Sequence, residues 1–169
     1  MPVGNGDLAA NVWTEPNGDL VLLVSKADAW SELNKPLKLG RIRVRLTPNP
    51  FATATDFKQT LRLEDAMVEI RSGSNVIKVW ADANQPLLRI EGSLGQPSAV
   101  RASVELWRTK DHPYDEASPD KGGLFGLGSH TIPLVFEADR VLPAAKDRVS
   151  WAHFNQASVY PIILKQEHL

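Results

Sequence analysis

The chain has 169 residues, no cysteine, and 19 basic against 20 acidic residues, which gives a formal net charge of −1. This length is typical of one domain with a substantial core, and the absence of cysteine excludes disulfides and thiolate metal sites. Because the charges are balanced and scattered, and no apolar run reaches the roughly 18 residues of a membrane span, neither nucleic acid nor a membrane is an expected partner.

The first element is a turn followed by a strand. Gly4, Asn5 and Gly6 all tolerate positive φ, so the backbone can reverse before a predicted strand over 8–13. Such a turn places Asn5 and Asp7 at a sheet rim, where short polar side chains can meet a ligand or another domain. The alternative is that Asn5 only shapes the turn.

A hairpin follows. Pro16, Asn17, Gly18 and Asp19 separate two strand-like runs, and Asn-Gly suits the positive φ values of a type I′ turn. The second run leads to Asp28 and Trp30, which stand in a loop-like context, and we expect Trp30 to be exposed or at an interface.

The middle of the chain alternates in the way a strand does. Ile42, Val44 and Leu46 alternate with three arginines over 41–46, which predicts one buried and one charged face. Turn signals separate further predicted strands at 20–25, 57–63, 66–71, 76–81, 87–91, 100–107, 132–137 and 149–154. About ten short strands at this spacing indicate an all-β fold, an antiparallel two-sheet sandwich or a barrel.

One long segment interrupts this pattern. Residues 108–131 include two prolines and four glycines, and a loop of that length inside a compact domain is usually functional or mobile. Its polar residues His112, Tyr114, Asp115, Glu116 and Asp120 either line a polar site or belong to a solvated loop.

No catalytic group is evident. Acid–base hydrolysis of a glycoside uses two carboxyl groups, and nothing in the spacing of the 20 acidic residues selects a pair. The histidines at 112, 130, 153 and 168 lack metal-ligand spacing, and no Gly-x-Ser-x-Gly motif occurs. We therefore predict no catalytic residue, metal or cofactor in this chain.

The run from Trp151 to Asn155 provides the best candidate for a site. Side chains two apart share a face of a strand, so Trp151, His153 and Asn155 are predicted to project together. An indole beside hydrogen-bonding groups suits a sugar, whose C–H face stacks while its hydroxyls pair. The alternative is a core Trp151 with structural polar neighbours. Of the other tryptophans, a sandwich core alone could explain Trp13, Trp80 and Trp107.

Two segments carry a resemblance to known proteins. Pro2, Gly4, Asn5, Gly6, Asp28 and Trp30, together with Trp151-Ala152-His153-Phe154-Asn155, match a recurring pattern. The chain resembles the N-terminal β-sandwich that precedes the helical (α/α)6 barrel in glycoside hydrolases of the α-L-fucosidase type. It is most similar to a bacterial domain of unknown function found in glycoside-hydrolase-like proteins.

The resemblance implies a large, twisted supersandwich of the galactose-mutarotase-like kind. It also implies a carbohydrate ligand, a helical catalytic domain of the same parent protein as partner, and a periplasmic or secreted parent. On this basis we expect residues 1–169 to be a single non-catalytic domain that lacks a following barrel. Two alternatives stay open: an independent carbohydrate-binding module, and a mutarotase-like sugar enzyme with a histidine and a carboxylate in one cleft.

Overall fold

The structure is a computed structural model that describes residues 1–31, 36–113, 135–143, 145–156, 158, 160–166 and 168. The described chain is almost entirely β, with one short helix, which confirms the all-β sandwich prediction. Its residues form two compact units. The first comprises Met1–Ala29 and Lys38–Glu105, and the second comprises Trp30–Leu37 and Leu106–Leu169.

Two antiparallel sheets make up the first unit. Their strands, in chain order, are β1 Pro2–Gly4, β2 Leu8–Thr14, β3 Leu20–Trp30, β4 Pro36–Thr47, β5 Lys58–Arg62, β6 Met67–Ser72, β7 Asn75–Ala81, β8 Leu88–Ser93 and β9 Ala99–Glu105. One sheet has the order β1-β2-β3-β4-β9 and the other the order β5-β6-β7-β8. Six of these strands match predicted ones closely, whereas β3 and β4 extend well beyond the predicted runs.

The core lies between these sheets, because β1 and β2 pack against β6, β7 and β8. The alternation of side chains along a strand decides which of them enter the core. In β2, Leu8, Ala10 and Val12 are buried, whereas Ala9 and Asn11 between them are exposed. The largest fully buried side chains of this core are Leu20, Leu22, Ile70, Val12, Val68 and Val79. Sandwich cores are built in this way from the inner faces of both sheets.

Strand β4 shows the predicted division into two faces. Val44 and Leu46 are buried, and Ile42 packs against the core. The arginines between them point to the opposite side of the sheet, where Arg43 Nε lies 2.5 Å from Glu105 Oε1 on β9. The prediction of one buried and one charged face is therefore confirmed.

Carboxylates on neighbouring segments neutralise these arginines. Arg43 also pairs with Glu15 at 2.6 Å, and Arg45 pairs with Asp19 at 2.9 Å. The Arg45 guanidinium outweighs the effect of burial and holds the pKa of Asp19 below its usual value. Arg43 in the same way lowers the pKa of Glu15. We call this set, with Arg41 and Glu105, the arginine ladder.

The hairpin between β2 and β3 forms where it was predicted, but its turn is of another type. The Gly18 N–H donates to the Glu15 carbonyl over 2.8 Å, which places Pro16 and Asn17 at the centre of the turn. A type I′ turn needs positive φ at both central residues, and the proline ring fixes φ near −65°. Instead the residue after the turn, Gly18, has the positive φ, at 81°.

Among the residues that the structure describes, regular structure is sparser in the second unit. Its strands are β10 His112–Pro113, β11 Val135–Phe136, β12 Arg140–Val141 and β13 Trp151–Ala152, and its helix is α1 Tyr160–Gln166. The strand predicted over 149–154 is thus only two residues long. Within the part of the chain that the structure describes, no helix has the length and apolar character of a membrane span.

Candidate functional site

The candidate site is built on the short connection between β11 and β12. The Ala138 N–H donates to Asp111 Oδ1 and the Asp139 N–H to the Arg108 carbonyl, each over 2.7 Å. These two bonds hold residues 137–139 against the segment 108–111. Because β11 and β12 are too short to fix a loop by their own ladders, these bonds position Asp139.

The carboxylate of Asp139 is the centre of the site. Its side chain is 1% exposed, and its Oδ1 accepts hydrogen bonds from Arg108 Nε at 2.8 Å and His153 Nδ1 at 3.0 Å. A buried carboxylate requires such partners, since a charge removed from water without compensation is strongly unfavourable. Arg108 supplies the compensating charge, and His153 supplies a second donor.

This contact fixes the orientation of the His153 ring. With Nδ1 protonated toward the carboxylate, Nε2 is the nitrogen that faces outward. It lies 3.0 Å from Asn155 Oδ1, and the His153 side chain is 20% exposed. A neutral ring presents Nε2 as an acceptor and an imidazolium presents it as a donor; the Asn155 amide, which carries both an NH2 and an oxygen, pairs with either.

Aromatic side chains flank this polar chain. Trp151 is half-buried in β13, opposite Val141 of β12. Phe154 is 51% exposed, with the Arg140 guanidinium carbon 5.4 Å from its ring centroid. This distance is typical of a cation–π contact. The segment thus carries both aromatic side chains and hydrogen-bonding groups, but the strand that was predicted to place Trp151, His153 and Asn155 on one face ends at Ala152.

His153 and Asn155 are therefore brought together by the fold, while the other predicted residues have different surroundings. Trp30 ends β3 and is 52% exposed. Asp28, in the first unit, pairs with Lys26 at 2.6 Å, and Lys26 lowers the pKa of Asp28. Whether Trp30 and Asp28 contribute to a site stays a prediction.

Asn5 is engaged within the first unit. Its Oδ1 accepts from the N–H groups of Asp7 and Leu8 at 3.0 and 2.8 Å. Its Nδ2 donates to the carbonyls of Asp82 and Gln85 at 2.7 and 3.0 Å. The amide therefore connects the β1–β2 turn to the β7–β8 loop. This arrangement agrees with the alternative that Asn5 shapes the turn rather than binds a ligand.

None of the three tryptophans that a core could explain belongs to the buried core. Trp107 is 48% exposed, because β9 ends at Glu105 and the indole lies beyond the sheet. Trp13 and Trp80 are half-buried in β2 and β7. The predicted polar residues Tyr114, Asp115, Glu116 and Asp120 lie outside the described residues.

Sequence reasoning missed Arg108 and Asp139. Asp139 is 14 positions from His153 and 31 from Arg108, so no local spacing connects the three. The usable signal is chemical, since an oriented histidine commonly has a carboxylate on its second nitrogen. Among the described residues, no group of three or more histidines and carboxylates could hold a metal ion.

Fold and site together define an all-β sandwich domain with a histidine held by a buried carboxylate next to aromatic surface. The family model for the N-terminal part of a domain of unknown function, DUF5703, matches residues 1–169. The chain belongs to this family. No curated protein and no solved structure matches it.

Proposed function

We propose that the chain is the non-catalytic N-terminal domain of a carbohydrate-active, glycoside-hydrolase-like protein, and that it supports and partly shapes a glycan-binding site. The observation that carries this proposal is the hydrogen-bonded chain Asp139–His153–Asn155, whose histidine follows Trp151 by two positions in the sequence. The resemblance of the first thirty residues and of 151–155 to glycoside hydrolase sandwich domains supports the same function.

The chemistry of the site suits sugar hydroxyls. A hydroxyl both donates and accepts, so it can take the place of Asn155 Oδ1 at His153 Nε2 in either protonation state, or pair with the remaining donors and acceptors of the Asn155 amide. Because Asp139 fixes the ring and the ring contacts the amide, both groups are oriented before a ligand arrives, which reduces the entropy lost on binding. The half-buried Trp151 offers a flat apolar surface for the C–H face of a sugar ring.

The same geometry argues against glycoside hydrolysis by this site. That reaction needs two carboxyl groups on opposite sides of the scissile bond. Asp139, the carboxylate on which the site is centred, is 1% exposed and already accepts from Arg108 and His153. It is therefore suited to orient His153 rather than to attack a substrate.

A second candidate function is favoured by the Asp139–His153 pair. A mutarotase-like sugar enzyme requires a histidine near a carboxylate, and these two side chains are 3.0 Å apart. In that function His153 Nε2 exchanges a proton with the anomeric hydroxyl, and Asp139 holds the ring in the required tautomer.

The test is glycan binding by the 169-residue chain, screened on a glycan array and measured by calorimetry on the hits. We expect His153→Ala to weaken binding by about tenfold or more, as the loss of charge-assisted or paired hydrogen bonds does. The matched control is His112→Ala. It removes a β10 histidine that packs on Phe136 of β11, and it should leave the affinity for the glycan unchanged.

Three outcomes distinguish the functions. Binding by the chain alone that depends on His153 and Asn155 supports the glycan site and, if it is strong, an independent binding module. Catalysed mutarotation of free aldoses, followed by polarimetry and lost in His153→Ala, supports the sugar enzyme. Binding that is unchanged in the His153 and Asn155 variants contradicts both the glycan site and the sugar enzyme.

A further inference from the structure

A cavity of about 310 Å3 lies at one end of the sandwich in the first unit. Three connections form it: residues 48–50 after β4, the β6–β7 turn at 74–75, and residues 95–98 between β8 and β9. Both sheets therefore contribute to its walls. Its volume is at the lower end of the range for small-molecule sites, about 300–1,000 Å3. None of its residues belongs to the site around His153.

The lining carries polar but no charged side chains, and more of its surface is apolar than polar. Among the described residues, those that line the cavity are Pro48, Asn49, Pro50, Ser74, Asn75, Gly95, Gln96 and Ser98. Three amides and two hydroxyls supply both donors and acceptors, and two proline rings supply apolar C–H surface. Without a charged side chain the cavity offers no compensation for a desolvated ion, which disfavours anionic and cationic ligands.

Several of the polar side chains are held in place by bonds to the backbone. Asn75 Oδ1 accepts from the Gly95 N–H at 3.0 Å, and Asn75 Nδ2 donates to the Ser72 carbonyl at 2.9 Å. On the other wall, Ser98 Oγ donates to the Pro48 carbonyl at 2.9 Å. Each bond uses only part of the capacity of its group, so an amide hydrogen or an oxygen lone pair is left for a ligand.

Asn49 is fixed in the same manner. Its Oδ1 accepts from the Phe51 N–H at 3.0 Å, and Phe51 is part of the buried core. The wall formed by 48–50 is thereby anchored to the sandwich. A cavity whose hydrogen-bonding groups are already positioned loses less entropy on binding than one formed by free side chains.

We propose that this cavity binds an uncharged, polyhydroxylated small molecule such as a sugar ring or a cyclitol. Hydroxyl groups alternate donor and acceptor roles as the amides and hydroxyls of the lining do, and ring C–H groups can contact Pro48 and Pro50. The proposal does not depend on the glycan site around His153, since the two sites share no residue.

Gly95 provides a variant that fills the cavity. A Cβ at this position would lie 2.6 Å from Ser74 Oγ, the rotatable end of a short side chain. Gly95→Val therefore forces Ser74 to turn and places a branched side chain in the cavity. Gln96→Ala removes one lining amide. The matched control is Gly92→Ala in β8, whose Cβ would meet Ile77 Cγ1 at an ordinary 3.8 Å.

The experiment is an NMR titration of the 15N-labelled chain with methyl β-D-glucopyranoside, methyl α-D-galactopyranoside and myo-inositol, each to about 50 mM, which detects millimolar dissociation constants. Sodium phosphate serves as the charged probe. We expect shifts of the backbone or side-chain amides of Asn49, Asn75, Gly95 and Gln96 with a neutral probe, and affinity independent of salt. Gly95→Val should abolish these shifts, Gln96→Ala should weaken binding about threefold to tenfold, and Gly92→Ala should not alter it.

Any of three results overturns the proposal: no shift at the cavity with any neutral probe, equal or larger shifts with phosphate, or binding that survives Gly95→Val in a protein whose melting temperature matches that of Gly92→Ala. Shifts confined to 151–155 would support the His153 site and contradict this one. The two proposals thus fail separately.

Discussion

Asp139 orients His153. The buried carboxylate accepts a hydrogen bond from the Nδ1–H group over 3.0 Å, and the Nε2 atom is thereby directed at Asn155. This relationship joins two residues of the second unit, whose regular structure consists of short strands and one helix. The site is therefore stabilised largely by side-chain hydrogen bonds, and the geometry of His153 should depend on Asp139 more than on strand pairing.

Asp139→Ala should accordingly lower the free energy of unfolding by about 3 kcal/mol, because it removes the buried carboxylate that accepts from Arg108 Nε and His153 Nδ1. Urea denaturation measures this, and imidazole 15N shifts should show that the Nδ1-protonated tautomer of His153 is no longer dominant. Asp139→Asn keeps an oxygen acceptor for Nδ1 and serves as the control for ring orientation. A loss below about 1 kcal/mol in the alanine variant would contradict the central role of this carboxylate.

Gly18→Ala should be far more damaging than Gly6→Ala. Both glycines have positive φ, at 81° and 92°, but a Cβ on Gly18 would lie 2.6 Å from Asn49 Oδ1 and 2.7 Å from the Ala52 nitrogen, whereas one on Gly6 meets nothing within 4 Å. We expect about 1 kcal/mol for Gly6→Ala from backbone strain alone and about 2–4 kcal/mol for Gly18→Ala. Equal losses of unfolding free energy in the two variants, measured by thermal or urea unfolding, would contradict this, because they would mean that the loop at 49–52 moves to make room for the Cβ at no cost.

Asn5→Asp should destabilise the chain more than Asn5→Ala. The carboxylate keeps the acceptor for Asp7 and Leu8 but places an oxygen where Nδ2 now donates to the carbonyls of Asp82 and Gln85. We expect about 1–2 kcal/mol for alanine and a larger loss for aspartate. If instead Asn5→Ala leaves the melting temperature unchanged and weakens glycan binding, Asn5 has the ligand role that its position in the sequence suggested.

The arginine ladder should make the chain sensitive to acid. Arg45 lowers the pKa of Asp19, and Arg43 lowers those of Glu15 and Glu105, from ordinary values of 3.8 and 4.5. A carboxyl group with a lowered folded-state pKa stabilises the fold above its unfolded-state pKa, and this contribution is lost as the pH falls through the folded-state value. Stability should thus decline below about pH 4.5.

Asp19→Asn tests this directly. Asp19 is 1% exposed, so the variant should lose about 2 kcal/mol at pH 7, the usual size of a hydrogen bond to a charged group, and should show a shallower acid decline. Asp65→Asn, which disrupts an exposed pair with Arg62, is the control and should leave the pH profile as it is. An unchanged acid slope in Asp19→Asn would refute the assignment.

The chain on its own should not hydrolyse aryl α- or β-glycosides. The sequence reveals no carboxyl pair, and the carboxylate of the described site is occupied by Arg108 and His153. The measurement is chromophore release by the purified protein. Turnover that persists through repurification and disappears with one acidic substitution would disprove the expectation.

How far the sequence predicts this structure depends on how local each feature is. Strands β5 to β8 lie within one or two residues of their predicted bounds, because alternation and turn residues are both local signals. Strand β4 begins earlier than predicted, at Pro36, since a proline and the interior Gly40 conceal its first half.

The candidate site likewise contains some residues that local sequence signals point to and others that they do not. The side chains of His153 and Asn155 are hydrogen bonded, but the strand ends at Ala152, so the strand alternation from which their shared face was predicted does not extend to them. Asp139 and Arg108 were missed because their contact with His153 arises from tertiary structure, and any of the 20 acidic residues was an equal candidate beforehand.

The arginine ladder also determines how β4 can align with its neighbours. A slip of one residue between β4 and β9 would exchange the two faces of β4, which would place three guanidinium groups in the core and move Val44 and Leu46 to the face lined by Glu15, Asp19 and Glu105. The misaligned chain would bury unpaired charge as well as lose its ion pairs with Glu15, Asp19 and Glu105. The charged face of β4 thus disfavours misaligned pairing of this strand, although it adds nothing to the hydrophobic core.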